Sequence, residues 1–562
     1  MRDAAAVSPE SPRKPCQDLV QKILGGKMAY DIGEFTRIKK RDSIDASGCV
    51  SNNIYLVDPK SLRIRVIDWW HVFFAEYLYY AILILVAILV AILANQFSYK
   101  TVGLMLRAQA LVSDPISLEV IAIICLIVAY ASRTRPSVFC IENCVFVPLE
   151  DWQCSQQDIM NMMRAQGCFS QESLDFSQRL LDRSGTGETT HWPPHILKSK
   201  DGVTKAVPNV EAAREETKQV VFPLVKEVLE RSGWSPKTID ILIINCSLFS
   251  PTPSLCALVS NEFNLREDMR SYNLSGMGCS ANVIAVDLAK ELLENRPGAR
   301  ALVISTENLT QNLYHGNEKS MLLQNTLFRC GGCALLLSSR LRDSVRAKYK
   351  LLYTFRSQMS EENSYRCVFQ QQDGEGNSGV ALSKDIVKVA GKAMKRNFTK
   401  LGPHVLPLRE QAKVIWNMVL QAMVGGLKKS GLSFAHRLTV PEGYMPNFSK
   451  GIDHFCIHAG GRAVIEGVQK NLNLRDDQVQ PSFQTLREWG NTSSSSIWYE
   501  MDWVERFGRL KRGDRVLQIA FGSGFKCNSA VWVALRVDAS KQGVPIKATS
   551  PTSSPKLKSA PE

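Results

Sequence analysis

The stretch Asn273-Leu274-Ser275-Gly276-Met277-Gly278-Cys279-Ser280 decides how this chain is read. Upstream, Met269 to Leu274 predicts a strand. Downstream, Ala281 to Leu293 has the apolar spacing of an amphipathic helix. The glycines between them let the backbone turn sharply. A cysteine that opens a helix in this way faces unpaired backbone N–H groups and the positive end of the helix dipole. Both stabilise a thiolate and any oxyanion formed beside it. A lone cysteine is more often a buried structural residue, so the reading depends on what accompanies it.

Two segments do. His454-Phe455-Cys456-Ile457-His458-Ala459-Gly460-Gly461 puts a histidine at the end of an apolar strand, before a helix predicted over Arg462 to Leu472. Trp489-Gly490-Asn491-Thr492, followed by four serines, opens a third helix with Asn491 near its start. Each alone has an ordinary explanation, a core histidine or an N-cap asparagine. Together, Cys, His and Asn are the set that thioester condensation needs. The sulfur holds an acyl group. The other two donate hydrogen bonds to the enolate left when a second thioester loses CO2.

With these motifs the chain resembles the membrane-bound 3-ketoacyl-CoA synthases of plants, the condensing enzymes of very-long-chain fatty acid elongation. The resemblance runs from about Ile54 to Ala534. It rests on Asn273 to Ala281, Ser305-Thr306-Glu307-Asn308, His458 to Arg462, Gly490 to Glu500 and Ala520 to Asn528. It implies that Cys279 accepts the acyl group, that His458 and Asn491 serve decarboxylation, and that the backbone N–H groups of Cys279 and Ser523 form an oxyanion hole. His454 matches another histidine of the family pattern and joins the catalytic candidates, with an ordinary strand-end histidine as the alternative. The implied fold is α/β, a thiolase-like five-layered α-β-α-β-α core of two related halves, normally a homodimer. The implied substrates are acyl-CoA and malonyl-CoA, with no metal and no permanently bound cofactor. The chain departs from the family pattern at Gln358 and Arg487, where histidine is usual, and at Cys330-Gly331-Gly332-Cys333, where Met-Gly-Gly-Ala is usual. Those departures leave room for a catalytically weak or non-catalytic paralogue that regulates an active synthase.

The rest of the chain agrees with an α/β core. Apolar strands such as Ile239 to Asn245, Ala301 to Ser305, Cys333 to Ser338, Asp453 to His458 and Arg515 to Ala520 alternate with amphipathic helices. Ala520 to Cys527 is glycine-rich but has neither dinucleotide nor P-loop spacing, so it reads either as a plain tight turn between strands or as a turn whose glycines bring a backbone N–H close to the thioester oxygen. A relay from Asp453 through His454 to His458 is rejected, because Asp453 is one residue from His454 and five from His458, and residues at such odd spacings along a strand do not share a face. Glu307 and Asn308 read as structural residues near the site.

The expected organisation is a basic N-terminal cytosolic segment (1–70), a membrane hairpin (71–135), an N-terminal half with the nucleophile (136–435), a C-terminal half with His and Asn (436–537) and a disordered Ser/Pro/Lys tail (538–562). No charge occurs from Tyr77 to Tyr99, long enough to cross a membrane. Ile116 to Ala131 contains Glu119 and is a shorter second candidate that either crosses or lies at the interface. Flanking Arg and Lys residues orient both outer ends to the cytosol. The family resemblance makes the membrane that of the endoplasmic reticulum and the partners the other elongase enzymes, a ketoacyl reductase, a dehydratase and an enoyl reductase.

The net charge of +14 favours anionic partners, CoA phosphates or anionic lipid. Its scatter, without a binding motif, speaks against nucleic acid. Fifteen cysteines in 562 residues do not make a disulfide framework, and the pairs Cys140/Cys144 and Cys330/Cys333 lack the second half of a zinc site. Asn245, Asn273 and Asn491 lie in glycosylation triplets inside core or site segments, which argues for the cytosolic side. A soluble type III polyketide synthase would share the chemistry but not the apolar spans. A degradative thiolase would be expected to use a second cysteine where Asn491 stands.

Overall fold

The computed structural model describes residues 136–429, 443–508, 510–538 and 541–544. The expected N-terminal segment, the expected membrane hairpin and almost all of the expected tail lie outside them. No helix among the described residues is long and apolar enough to cross a membrane.

The strands are β1 (Phe139–Val145), β2 (Gln153–Cys154), β3 (Thr190–His191), β4 (Ile241–Asn245), β5 (Arg270–Leu274), β6 (Arg300–Thr306), β7 (Gly332–Ser338), β8 (Tyr349–Gln358), β9 (Val368–Gln372), β10 (Ser378–Leu382), β11 (His454–Ile457), β12 (Arg515–Gly522) and β13 (Lys526–Ala534). The helices that position the site are α1 (Gln171–Ser184), α2 (Val210–Ser232), α3 (Ala281–Glu294), α4 (Lys319–Leu327), α5 (Ile386–Val405), α6 (Leu408–Lys429), α7 (Arg462–Leu472), α8 (Asp476–Trp489) and α9 (Ser496–Phe507).

Nine strands run in the order β11-β12-β13-β8-β1-β7-β6-β4-β5. They form two groups. β4, β5 and β6 are parallel and β7 and β1 antiparallel in one group; β11 is parallel to β12, with β13 and β8 antiparallel, in the other. Only two residue pairs, Phe139–Lys350 and Cys140–Tyr349, join them. β4 (Ile-Leu-Ile-Ile-Asn) is buried along its whole length, as expected of a strand covered on both faces.

Alternating side chains of each group feed different layers. Leu242 and Ile244 face outward against α2, while Ile241 and Ile243 face α3. On the other group, Phe455 and Ile457 face α5, α7 and α8, and Cys456 faces α9. Helix and sheet thus alternate, with α3 and α9 in the middle layer. The second strand group begins at β8, which pairs with β13 over nine positions, and α5 packs on both. The division expected at residues 435 and 436 lies outside the described residues. The alternation of Tyr349 to Phe355 marks a strand but does not say which partner it takes.

Candidate functional site

The two central helices are each preceded by a 3-10 turn, Gly278–Ser280 before α3 and Ser493–Ser495 before α9, and the two turns touch. Two positive helix ends therefore meet at one place. Beneath them a buried polar chain crosses between the halves. Ser494 donates to Asn245 (2.7 Å), whose amide donates to Ser305 Oγ; Asn282 donates to the same Ser305 (2.7 Å) and accepts from Trp498 Nε1 (2.6 Å). Every one of these residues is buried, so the network fixes how the two turns face each other.

Cys279 lies in the first turn, partly open to a cavity. Ser493 Oγ is 3.6 Å from its sulfur and 3.0 Å from Glu307 Oε2. The other carboxyl oxygen of Glu307 accepts from Leu248 N–H at 2.9 Å and from Cys246 Sγ at 3.4 Å. A hydroxyl has one proton, so Ser493 can donate to either the sulfur or the carboxylate at a given moment, but not to both. Burial pushes the Cys279 thiol up to about 12; the Ser493 bond pulls it down and the Glu307 charge pushes it up further. Burial also raises Glu307 itself. Burial therefore opposes the thiolate that a place at a helix start favours.

His458 follows β11 and continues its pairing, with its N–H on Ile519 O at 2.9 Å. Nδ1 is 2.6 Å from Ser496 Oγ, and Nε2 folds over Gly460, where a Cβ would come within 2.9 Å of it. Burial lowers its pKa to about 4, so the ring is neutral at physiological pH. Asn491 is held through its backbone, N–H to Leu327 O and carbonyl to Arg329 N–H. Its Oδ1 accepts from Ser493 N–H (2.9 Å) and its Nδ2 donates to Gly460 O (3.3 Å).

The β12–β13 turn closes the site. Gly278 has φ +69°, and a Cβ there would lie 2.5 Å from Ser523 N; a Cβ on Gly522 would run into Ser280 Oγ and Met277 O. Only glycine permits this approach of Ser523 to the cysteine turn. Cys279, Glu307, His458, Asn491, Ser493 and Ser523 all line one cavity of about 650 Å³. Leu323 and Leu327 of α4, Val368 of β9, Val380 and Leu382 of β10 and Ile386 of α5 make part of its wall apolar.

Residues 129–423 match the family described as FAE1/type III polyketide synthase-like protein, and residues 449–534 match the C-terminal region of 3-oxoacyl-[acyl-carrier-protein] synthase III. 3-Ketoacyl-CoA synthase 2 of Arabidopsis thaliana is 46% identical over 414 residues, 73% of this chain and 75% of that protein. 3-Ketoacyl-CoA synthase 17 of the same plant is 47% identical over 417 residues, 74% and 82%. The chain belongs to the 3-ketoacyl-CoA synthase family. Among solved structures, the fungal type III polyketide synthase ORAS superposes with a TM-score of 0.54 at 17% identity, covering 71% of this chain and 99% of that one. CsyB complexed with CoA-SH gives 0.54 at 17%, covering 71% and 100%. At such identity the likeness is one of fold.

Against the 3-ketoacyl-CoA synthase pattern, the departures fall in different places. Gln358, at the end of β8, lines the cavity, whereas Arg487 is exposed near the end of α8 and does not. Cys330 and Cys333 are buried packing residues on and beside β7, and among the described residues no group of three or more His, Cys, Asp or Glu could hold a metal ion. His454 is not brought to the site. It stands at the other end of β11 from His458, with Nε2 3.0 Å from Asp514 Oδ2, and is absent from the cavity wall. Ser493 and Ser496 are functional candidates that the sequence does not single out, and Glu307, expected to be a structural residue near the site, joins them on the cavity wall. Ser493 adopts φ +54°, a left-handed conformation uncommon for serine, and nothing in a run of four serines marks which one does so.

Proposed function

We propose that the chain is a 3-ketoacyl-CoA synthase that condenses a long-chain acyl-CoA with malonyl-CoA, the first step of very-long-chain fatty acid elongation. The observation that carries this is the meeting of Cys279, His458 and Asn491 on the wall of one largely apolar cavity.

The acyl chain lies along the apolar wall and displaces water. His458 Nε2 takes the Cys279 proton, which the raised thiol pKa makes necessary, while Nδ1–H donates to Ser496. The thiolate attacks the acyl-CoA carbonyl. The oxyanion rests on the N–H groups of Cys279 and Ser523, the new C–S bond forms, and the CoA sulfur leaves with the proton from His458. In the second stage the malonyl thioester oxygen accepts from His458 Nε2–H and from Asn491 Nδ2. This requires the other tautomer, which Ser496 supports because its hydroxyl donates as well as accepts. Loss of CO2 leaves an enolate, whose carbon attacks the acyl-cysteine carbonyl and expels the Cys279 thiolate. One proton is taken up from the medium per turnover, and the product is a 3-ketoacyl-CoA two carbons longer.

The reading extends to a homodimer in the endoplasmic reticulum membrane with this region on the cytosolic side, working beside a ketoacyl reductase, a dehydratase and an enoyl reductase. It is supported by the uncharged run Tyr77 to Tyr99, the apolar run Ile116 to Ala131 and the family resemblance. The acylation half is tested alone by incubating the protein with long-chain acyl-CoA and no malonyl-CoA. Peptide mass spectrometry should find the acyl mass on Cys279. A folded protein that takes no acyl group at any chain length would refute it.

A further inference from the structure

Helix α6 is turned inside out. At 3.6 residues per turn, Leu408, Ile415, Val419 and Met423 fall on one line, with Trp416 and Met418 on its two sides, an apolar arc roughly 160° wide. Such an arc normally faces a core. Here all six residues are exposed, Leu408 to 82% and Trp416 to 65%. The opposite side explains the orientation. Glu410 is fully buried there, accepting from Lys450 Nζ (2.6 Å), Tyr444 OH (2.7 Å), Lys413 Nζ (3.1 Å) and Asn447 N–H (3.3 Å). The first turn of α6 is thus fastened by its polar side, which leaves the apolar side outward. Met445, in the segment fastened against Glu410, is exposed as well.

The charge along this stretch of chain is one-sided. From Lys384 to Lys429 the chain has ten Lys and Arg residues against two acids, Asp385 and Glu410, and Glu410 is consumed by the bonds just described. Arg409 borders the arc next to Trp416. On α5, Lys388, Lys392, Lys395, Arg396 and Lys400 are exposed, with Lys392 and Arg396 approaching Glu361 at 3.7 and 3.5 Å. α5 is also the helix whose first turn, with Ile386, Val387 and Ala390, lines the catalytic cavity.

We propose that α6 lies in the interface of an anionic lipid bilayer, its apolar arc among the upper acyl chains and the cations around it at the head groups. An exposed arc with a tryptophan, bordered by cations, is what an interfacial helix requires. A second copy of this chain is a poorer occupant, since it would bring an equally cationic region against this one. The helix lies on the membrane and does not cross it. The inference stands on residues 384–429 and does not depend on the two apolar runs near the N-terminus.

The test uses the full-length protein in nanodiscs carrying a phospholipid with a photoactivated carbene precursor in its acyl chain. Adducts are mapped by mass spectrometry on the tryptic peptide Val414 to Lys428. Labelling of that peptide is expected, and it should increase roughly five-fold or more when phosphatidylserine is added to phosphatidylcholine. The double variant I415E/V419E, which changes only exposed residues, should abolish it. Absence of label on this peptide overturns the proposal, as does label that ignores both lipid charge and the double variant. A self cross-link through α6 that shields it from lipid overturns it too. Label on the peptide containing Tyr77 to Tyr99 reports the hairpin separately, so either reading can fail without the other.

Discussion

Replacing Glu307 by Gln should lower the pKa of the Cys279 thiol. The carboxylate reaches the sulfur through Ser493 Oγ, in legs of 3.0 and 3.6 Å, so the two charges lie within about 7 Å of one another. At an effective dielectric of about 20 their repulsion is about 2.4 kcal/mol, or about 1.7 pKa units. The amide keeps an acceptor for Leu248 N–H, and its new N–H can donate to Ser493, which frees the serine proton for the sulfur. Both effects act in the same direction. The thiolate fraction below the thiol pKa would rise about fifty-fold, but a less basic thiolate is a weaker nucleophile, which leaves about an eight-fold gain in rate. The assay is reaction with a small aromatic disulfide, following the Cys279 peptide by mass spectrometry across pH. An unchanged or raised thiol pKa in Glu307→Gln would refute the inference that Glu307 and Cys279 compete for one hydroxyl.

Other outcomes follow from the same geometry. Asn491→Asp keeps the acceptor for Ser493 N–H but removes the enolate donor. Condensation measured with labelled malonyl-CoA should fall roughly a hundredfold or more while acylation of Cys279 persists. His454→Ala, which loses only the contact with Asp514, should leave condensation within a few-fold of wild type; a hundredfold loss would return His454 to the mechanism. Gly278→Ala forces an alanine to φ +69° against Ser523 and should abolish condensation, with a melting temperature lowered by the strain. His458 titrates near 4 when folded and near 6.5 when unfolded, so the unfolded chain binds the proton first. Stability is then lost as pH falls from 6.5 toward 4 and is unaffected above. His458→Gln should remove about 2 kcal/mol of that acid sensitivity, read from denaturant midpoints at pH 7 and 4.5.

Local pattern carried much of this fold into view. The helix predicted over Arg462 to Leu472 has those bounds, and the strand and helix on either side of Cys279 run Arg270–Leu274 and Ala281–Glu294. Each is set by its own periodicity and its flanking glycines. What pattern does not contain is partnership across the chain. β8 gives no sign that it belongs with β13, and the link from Glu307 to Ser493 spans 186 residues. The start of α9 was also misplaced, because a 3-10 turn with a left-handed Ser493 comes between Asn491 and the helix at Ser496. Reading the thiol of Cys279 from its place at a helix start gave the dipole its due and missed burial, which depends on how the second half closes over the first.

The central claim is tested most directly by elongation in microsomes from a host expressing the full chain, beside Cys279→Ala. Labelled malonyl-CoA is supplied with acyl-CoAs of several lengths. A new 3-ketoacyl product with the wild-type chain, absent with Cys279→Ala, is the predicted result and would also give the chain-length window. Equal background from both proteins would contradict the account, and the cavity would then belong to a subunit that no longer condenses.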